Sequence, residues 1–226
     1  VSSSSAHCSR PARAAASGTA GHNASAASRC WSCSAGAPTR RAASAASSEA
    51  LSAVLKGEVQ AHFHAHRADD IFTAVRIAKE FGLDAVLVHC TEGHINPEKL
   101  AAEHIPAIVG PIIATRTKPE LANQTEATAA VLKKAGVEVA ICTDHPEVPI
   151  KYLPLSAAIA VRYGMSHDDA ICAITSVPAR ILKLDHRIGS VAPGMDADIT
   201  AFAGDPLSVY EEPVWVVAGG RIVKRS

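Results

Sequence analysis

The sequence has no excess of charge of either sign, because 22 lysines and arginines balance 22 aspartates and glutamates. A nearly neutral chain is not drawn electrostatically to nucleic acid or to a membrane surface, so neither is an expected partner. No apolar run approaches the roughly 18 to 20 residues needed to span a bilayer. The six cysteines are too sparse for a disulfide scaffold. Together these absences favour a cytoplasmic protein in a reducing compartment.

Acidic residues and apolar periodicity are both missing from residues 1–48, where serine, alanine and scattered arginine dominate. Such a segment cannot bury enough surface to offset the entropy of ordering it, so we expect it to be disordered. Its composition fits an organelle transit peptide, which would change the expected location, or a plain tail. It fits best a G+C-rich coding region translated in the wrong frame, and the initial valine favours a fragment.

From residue 49 onward the hydrophobic pattern alternates between strands and helices. Four short apolar segments predict parallel strands, at about 59–66, 84–89, 105–110 and 137–143. Helices are predicted at about 68–81, 97–104, 119–135 (the longest), 153–163, 166–174 and 177–183. After residue 189 the pattern changes to short strands, which predict a separate small β unit.

Histidine is abundant, with 11 residues, and it is the commonest metal ligand in proteins. His62, His64 and His66 alternate along the first predicted strand, so all three should point to one face. His89 and Asp144 end the second and fourth predicted strands. Their distances from His64 along the chain match about one and three βα units of a barrel with roughly 30 residues per unit. The pattern therefore places these side chains on the rim where barrel active sites lie.

Two imidazoles and a carboxylate suit a divalent metal such as zinc, with one coordination position left for water. We assign His64, His89 and Asp144 as candidate metal ligands, although the pattern leaves open whether His62, His64 or His66 is the ligand from the first strand. Asp144 is also the candidate catalytic residue that takes a proton from the water. The resulting nucleophile would attack an electrophilic carbon.

The candidate substrate contacts share a position on or just beyond this rim: His66, Arg67, Glu92, His94 and His145. A solvated loop explains Glu92, His94 and His145 equally well. Arg67 could hold a substrate carboxylate through two hydrogen bonds, or it could pair with Asp70 on the surface. The pattern does not decide between these two interpretations.

Three segments now resemble known motifs of the metal-dependent amidohydrolases, of the imidazolonepropionase-like and related group. His-Ala-His-Arg-Ala-Asp-Asp-Ile (64–71), Val-His-Cys-Thr-Glu-Gly (88–93) and Cys-Thr-Asp-His-Pro (142–146) are similar to that family's fifth, sixth and eighth strand motifs. The resemblance implies that His64 and His89 are metal ligands and that Asp144 is both ligand and proton shuttle. Residues 175–182 and 187–199 are similar to the family's C-terminal tail, which is the most specific of these signatures.

The resemblance implies an α/β fold in which residues 49–186 form strands five to eight of a partial TIM (β/α)8 barrel. Residues 187–226 would then form the C-terminal part of a small composite β-sandwich. The His-x-His of the family's first strand, and the bridging lysine or other ligand of its fourth, have no counterpart in this sequence. We therefore expect an incomplete half-barrel, with two apolar strand edges exposed.

The expected function is hydrolysis of carbon–nitrogen bonds other than peptide bonds, such as those of cyclic amides in a small-molecule substrate. A metallo-dipeptidase is the alternative within the same superfamily, and it is favoured if Arg67 clamps a carboxylate. A third hypothesis is an inactive fragment that pairs its open edges with another copy, which leaves homo-oligomerisation open. Nucleic-acid binding through the Cys30-Trp-Ser-Cys33 segment is the least favoured hypothesis.

Overall fold

A computed structural model of the protein describes residues 2–3, 49 and 51–225. Most of the segment expected to be disordered, with Cys30 and Cys33, lies outside these described residues. Ser2 and Ser3 are described, and they pair with a later strand. The described strands are β1 (Ser2–Ser3), β2 (Ala61–Ala65), β3 (Ala85–His89), β4 (Ala107–Val109), β5 (Val139–Ile141), β6 (Ile199–Phe202), β7 (Pro213–Ala218) and β8 (Arg221–Arg225).

The helices lie mostly between and after the strands of the first half of the described chain. They are α1 (Ala68–Phe81), α2 (Pro97–Ala101), α3 (Thr128–Ala135), α4 (Leu153–Arg162), α5 (His167–Ala173) and α6 (Ser176–Ile181). Residues 51–55 are also helical. Short 3₁₀ turns cover Gly93–Ile95, Pro119–Leu121 and Ile150–Tyr152. None of the described helices is both long and apolar enough to cross a bilayer.

Strands β2 to β5 form a parallel sheet in chain order, as the sequence predicts. Ala65, His89, Val109 and Ile141 lie side by side across this sheet. β3 is buried along almost its whole length, as expected for a strand covered on both faces. Because the strands are parallel, the residues that follow these four meet at one rim of the sheet.

Helix α1 shows why the chain turns back directly after β2. Asp69 and Asp70 occupy its first turn, where negative charge is favourable beside the helix dipole. Ile71 and Val75 on its inner face are buried in the same core as Leu87 of β3. Burying each such aliphatic side chain is worth about 1.5–3 kcal/mol. The predicted boundaries of this helix are confirmed, and α1 is the longest described helix at 14 residues.

The predicted helix over 119–135 is wrong in its first half. Only Thr128–Ala135 is α-helical, and Pro119–Leu121 forms a 3₁₀ turn. The Asn123 side chain donates a hydrogen bond to the Glu92 carboxylate, and the Gln124 side chain donates one to the carbonyl of Pro111. These tertiary hydrogen bonds hold residues 111–127 as a loop across the rim, and they override helix propensity.

The short strands expected after residue 189 are present and form an antiparallel sheet in the order β1-β6-β7-β8. The loop between β6 and β7 packs against the helices beside the parallel sheet. Leu207 of this loop is buried in the same core cluster as α4 and α5. The loop residue Asp205 accepts a hydrogen bond from His167 Nε2 at 2.8 Å.

Candidate metal centre

Three histidines from two neighbouring strands meet at the rim. His64 lies in β2, His66 follows it, and His89 ends β3. One ring nitrogen from each lies within 4.8 Å of the others, the one such group of three or more potential ligands among the described residues. The rings of His66 and His89 are stacked, with centroids 4.7 Å apart, and the His64 ring lies 4.2 Å from that of His89.

Hydrogen bonds hold two of these rings at Nδ1. His89 Nδ1 lies 2.6 Å from the Gly110 carbonyl oxygen. A carbonyl can only accept, so Nδ1 carries a proton, and in the neutral form of the ring Nε2 keeps its lone pair. His66 Nδ1 lies 2.8 Å from Thr91 Oγ1. The Nε2 atoms of His64 and His66 are 3.0 Å apart, within hydrogen-bond distance of each other.

Gly110 can lie close to the backbone of Cys142 because it has no side chain. A Cβ at this position would lie 2.1 Å from the carbonyl oxygen of Cys142, and the Gly110 φ of 143° is rarely open to other residues. The close approach of the ends of β4 and β5 therefore depends on glycine. In this position the Gly110 carbonyl points toward the His89 ring.

Burial keeps the two partly exposed histidines neutral. It lowers the pKa of His66 to about 4, helped by the neighbouring His89 and His64. Burial is also the main cause that lowers the pKa of His64, followed by the charge of His89. Both imidazoles are therefore uncharged at pH 7, and this is the form that binds a metal ion.

Asp144 lies on the same rim, after β5, but outside the group of three rings. Its side chain is exposed, and its negative charge raises the pKa of His64 against the lowering effect of burial. Both Asp144 and His89 have left-handed backbones, with φ of 52° and 69°. Such conformations are costly for residues other than glycine and are concentrated at functional sites. The structure thus brings His64 and His89 together and places His66 beside them.

Arg67 pairs with Asp69, so the alternative pairing with Asp70 is wrong. Arg67 Nε lies 3.1 Å from Asp69 Oδ1, and both side chains are more than half exposed. An exposed pair of this kind contributes little to stability. The guanidinium therefore has a carboxylate partner of its own, from which a substrate carboxylate would have to displace it.

Glu92 is buried and holds the rim together, although the sequence indicates it as a substrate contact. One carboxylate oxygen accepts a hydrogen bond from the Ala68 N–H at 2.7 Å, at the start of α1. The other accepts from the Asn123 side chain at 2.8 Å. Glu92 therefore connects α1 to the loop over 111–127.

The other predicted histidines lie outside the three-ring group. His145 is exposed beside Asp144. His94 Nδ1 lies 3.1 Å from the Thr91 carbonyl oxygen and 3.1 Å from Thr128 Oγ1. His62 bonds Gln60 near the start of β2.

Sequence reasoning missed Lys118 and Glu120. Their charges act on both His64 and His66, and Glu120 lines a cleft of about 570 Å³ beside those histidines. This cleft runs along β2 and α1, where Phe63 and Ile77 supply an apolar wall. No periodic pattern marks the loop that carries the two residues, so only the folded chain reveals them. Thr91 and Gly110 could have been found, because Thr91 closely follows one predicted strand and Gly110 ends another.

Comparison with known proteins places these features in a family. The amidohydrolase family model matches residues 34–224. The fold resembles the crystal structure of an amidohydrolase from Thermotoga maritima MSB8, with 43% identity and a TM-score of 0.75, over 79% of this chain and 46% of that one. Amidohydrolase tasK of Hapsidospora irregularis is 30% identical over 178 residues, which are 76% of this chain and 18% of that protein.

The rim of a parallel sheet that gathers histidines is typical of metal-dependent α/β hydrolases. The chain belongs to the amidohydrolase family. It spans less than half the length of these two relatives. An adenosine deaminase from Xanthomonas campestris with bound zinc shares the fold at 19% identity and a TM-score of 0.54, over 82% of this chain and 48% of that one.

Proposed function

We propose that the chain forms the metal-binding part of a hydrolase that cleaves carbon–nitrogen bonds other than peptide bonds in small molecules. The observation that carries this proposal is the convergence of His64, His66 and His89, with one ring nitrogen from each within 4.8 Å. Membership of the amidohydrolase family supports the same reaction class. In this proposal β2 to β5 correspond to strands five to eight of a (β/α)8 barrel.

The donor set fits a divalent cation, and zinc in particular. Three imidazole nitrogens with a further position open are a common catalytic zinc arrangement, and the related adenosine deaminase holds zinc. His64, His66 and His89 would hold the cation. When bound, zinc supplies the Lewis acidity that makes water nucleophilic near neutral pH.

Asp144 is the proposed catalytic residue and a further candidate ligand. Its exposed carboxylate lies within electrostatic reach of His64, where it can accept a proton from water. His145, the next residue in the chain, and Glu120, which lines the cleft, are the proposed contacts of a polar substrate. The dipeptidase alternative depends on Arg67, whose guanidinium pairs with Asp69 and would have to leave it to hold a substrate carboxylate.

Zinc binding by the whole chain tests the proposal. We expect the wild-type protein to retain close to one zinc ion per chain after dialysis, and His89→Ala to lose it. His104→Ala is the matched control, because His104 is exposed and outside the cluster. Turnover of cyclic amides but not of dipeptides by the zinc-loaded protein would support the reaction class. Equal zinc content in all three proteins, or none, would contradict it, and association without zinc would favour an inactive fragment.

A further inference from the structure

His66 needs an external support because it lies outside the sheet ladder. Strand β2 ends at Ala65, so no strand pairing fixes the position of His66. Two consecutive residues after β3 supply that support. Thr91 Oγ1 lies 2.8 Å from the His66 ring at Nδ1, and the Glu92 N–H donates to the His66 carbonyl at 2.8 Å. The ring and the backbone of His66 are therefore held from one side.

Thr91 is itself rigidly held. Its side chain is buried, with the residue 8% exposed. Its carbonyl accepts a hydrogen bond from Thr128 Oγ1 at 3.2 Å, in the first turn of α3, and lies 3.1 Å from His94 Nδ1. Because Thr91 is held in this way, its hydroxyl fixes the position of the His66 ring.

The hydrogen bond also fixes which ring nitrogen of His66 faces the cluster, because it engages Nδ1. When Thr91 Oγ1 accepts the proton of Nδ1, His66 Nε2 keeps its lone pair. That atom lies 3.0 Å from His64 Nε2, on the side where the three rings converge. Loss of a side chain that orients a ligand of a metal centre in this way typically weakens metal binding about 10- to 100-fold.

We propose that Thr91 is a positioning residue that fixes the His66 imidazole through Nδ1 and so makes His66 the third nitrogen ligand of a divalent cation. This inference rests on the proposed function, because it concerns the same centre. It replaces a role in substrate contact for His66 with a role in holding the cation. It also gives the motif residue Thr91 a task that the strand pattern alone does not assign.

The test compares Thr91→Val, which removes the hydroxyl at nearly constant shape, with Thr91→Ser, which keeps it. Zinc affinity is measured by competition with a chelator, on the full chain. We expect Thr91→Val to weaken zinc binding about 10- to 100-fold, as is typical when such a partner is lost, and Thr91→Ser to stay near wild type. Nitrogen-15 spectra of the histidine rings provide a second readout, with and without zinc.

In the metal-free protein, Thr91→Val should change the proton distribution between Nδ1 and Nε2 of His66. On adding zinc to the wild type, the His66 resonances should move together with those of His64 and His89. Unchanged affinity and spectra in Thr91→Val would overturn the inference while leaving the proposed function intact. A wild-type protein that binds no zinc would overturn both.

Discussion

At the scale of single residues, the candidate centre depends on atoms that no motif search weighs, such as the carbonyl of Gly110. Replacing Gly110 with alanine should strongly destabilise the fold, because its Cβ would lie 2.1 Å from a backbone oxygen of Cys142. Gly136→Ala is the matched control, since Gly136 also has a positive φ, 100°, but nothing lies within 4 Å of its Cβ.

Urea unfolding separates the two effects. The control should lose about 1–2 kcal/mol from backbone strain alone. Gly110→Ala should lose clearly more or fail to fold, because the contact adds to the strain. Equal losses would mean that the ends of β4 and β5 do not approach as closely as described.

At the scale of elements, the rim is held by Glu92, which joins the start of α1 to the loop over 111–127. Glu92→Leu should destabilise the protein by about 1–3 kcal/mol for each buried donor left without a partner, namely the Ala68 N–H and the Asn123 amide. Glu98→Leu is the control, because Glu98 is an exposed acidic residue in the first turn of α2. Matching urea midpoints for the two variants would rule out the anchoring role.

Some of these elements could be predicted from the sequence and others could not. The four parallel strands, α1 and the meeting of His64 with His89 could be predicted, because they follow from apolar periodicity and from the common rim of parallel strands. The loop over 111–127 could not, because its shape depends on contacts of Asn123 and Gln124 with distant residues. The same limit applies to His66, whose place in the cluster depends on Thr91.

At the scale of the whole molecule, the antiparallel sheet and the helices beside the parallel sheet are connected by the pair His167–Asp205. The hydrogen bond to Asp205 raises the pKa of His167, and the same bond lowers the pKa of Asp205. A raised histidine pKa adds stability below its usual value of 6.5, and that stability is lost as the pH rises through the raised pKa. A lowered aspartate pKa adds stability above its usual value of 3.8, and that stability is lost at lower pH. The pair therefore stabilises most between about pH 4 and 6.5.

His167→Ala should consequently lower the thermal unfolding midpoint more at pH 5.5 than at pH 8.5, because a larger fraction of the wild-type imidazole is protonated at the lower pH. The effect should be small, since the two side chains are 44% and 51% exposed and water screens the pair. His186→Ala, at another exposed histidine, is the control for removal of a surface imidazole. A loss in His167→Ala that does not depend on pH would show that the ring contributes only packing. The attachment of the β6–β7 loop would then depend on the buried side chain of Leu207 instead.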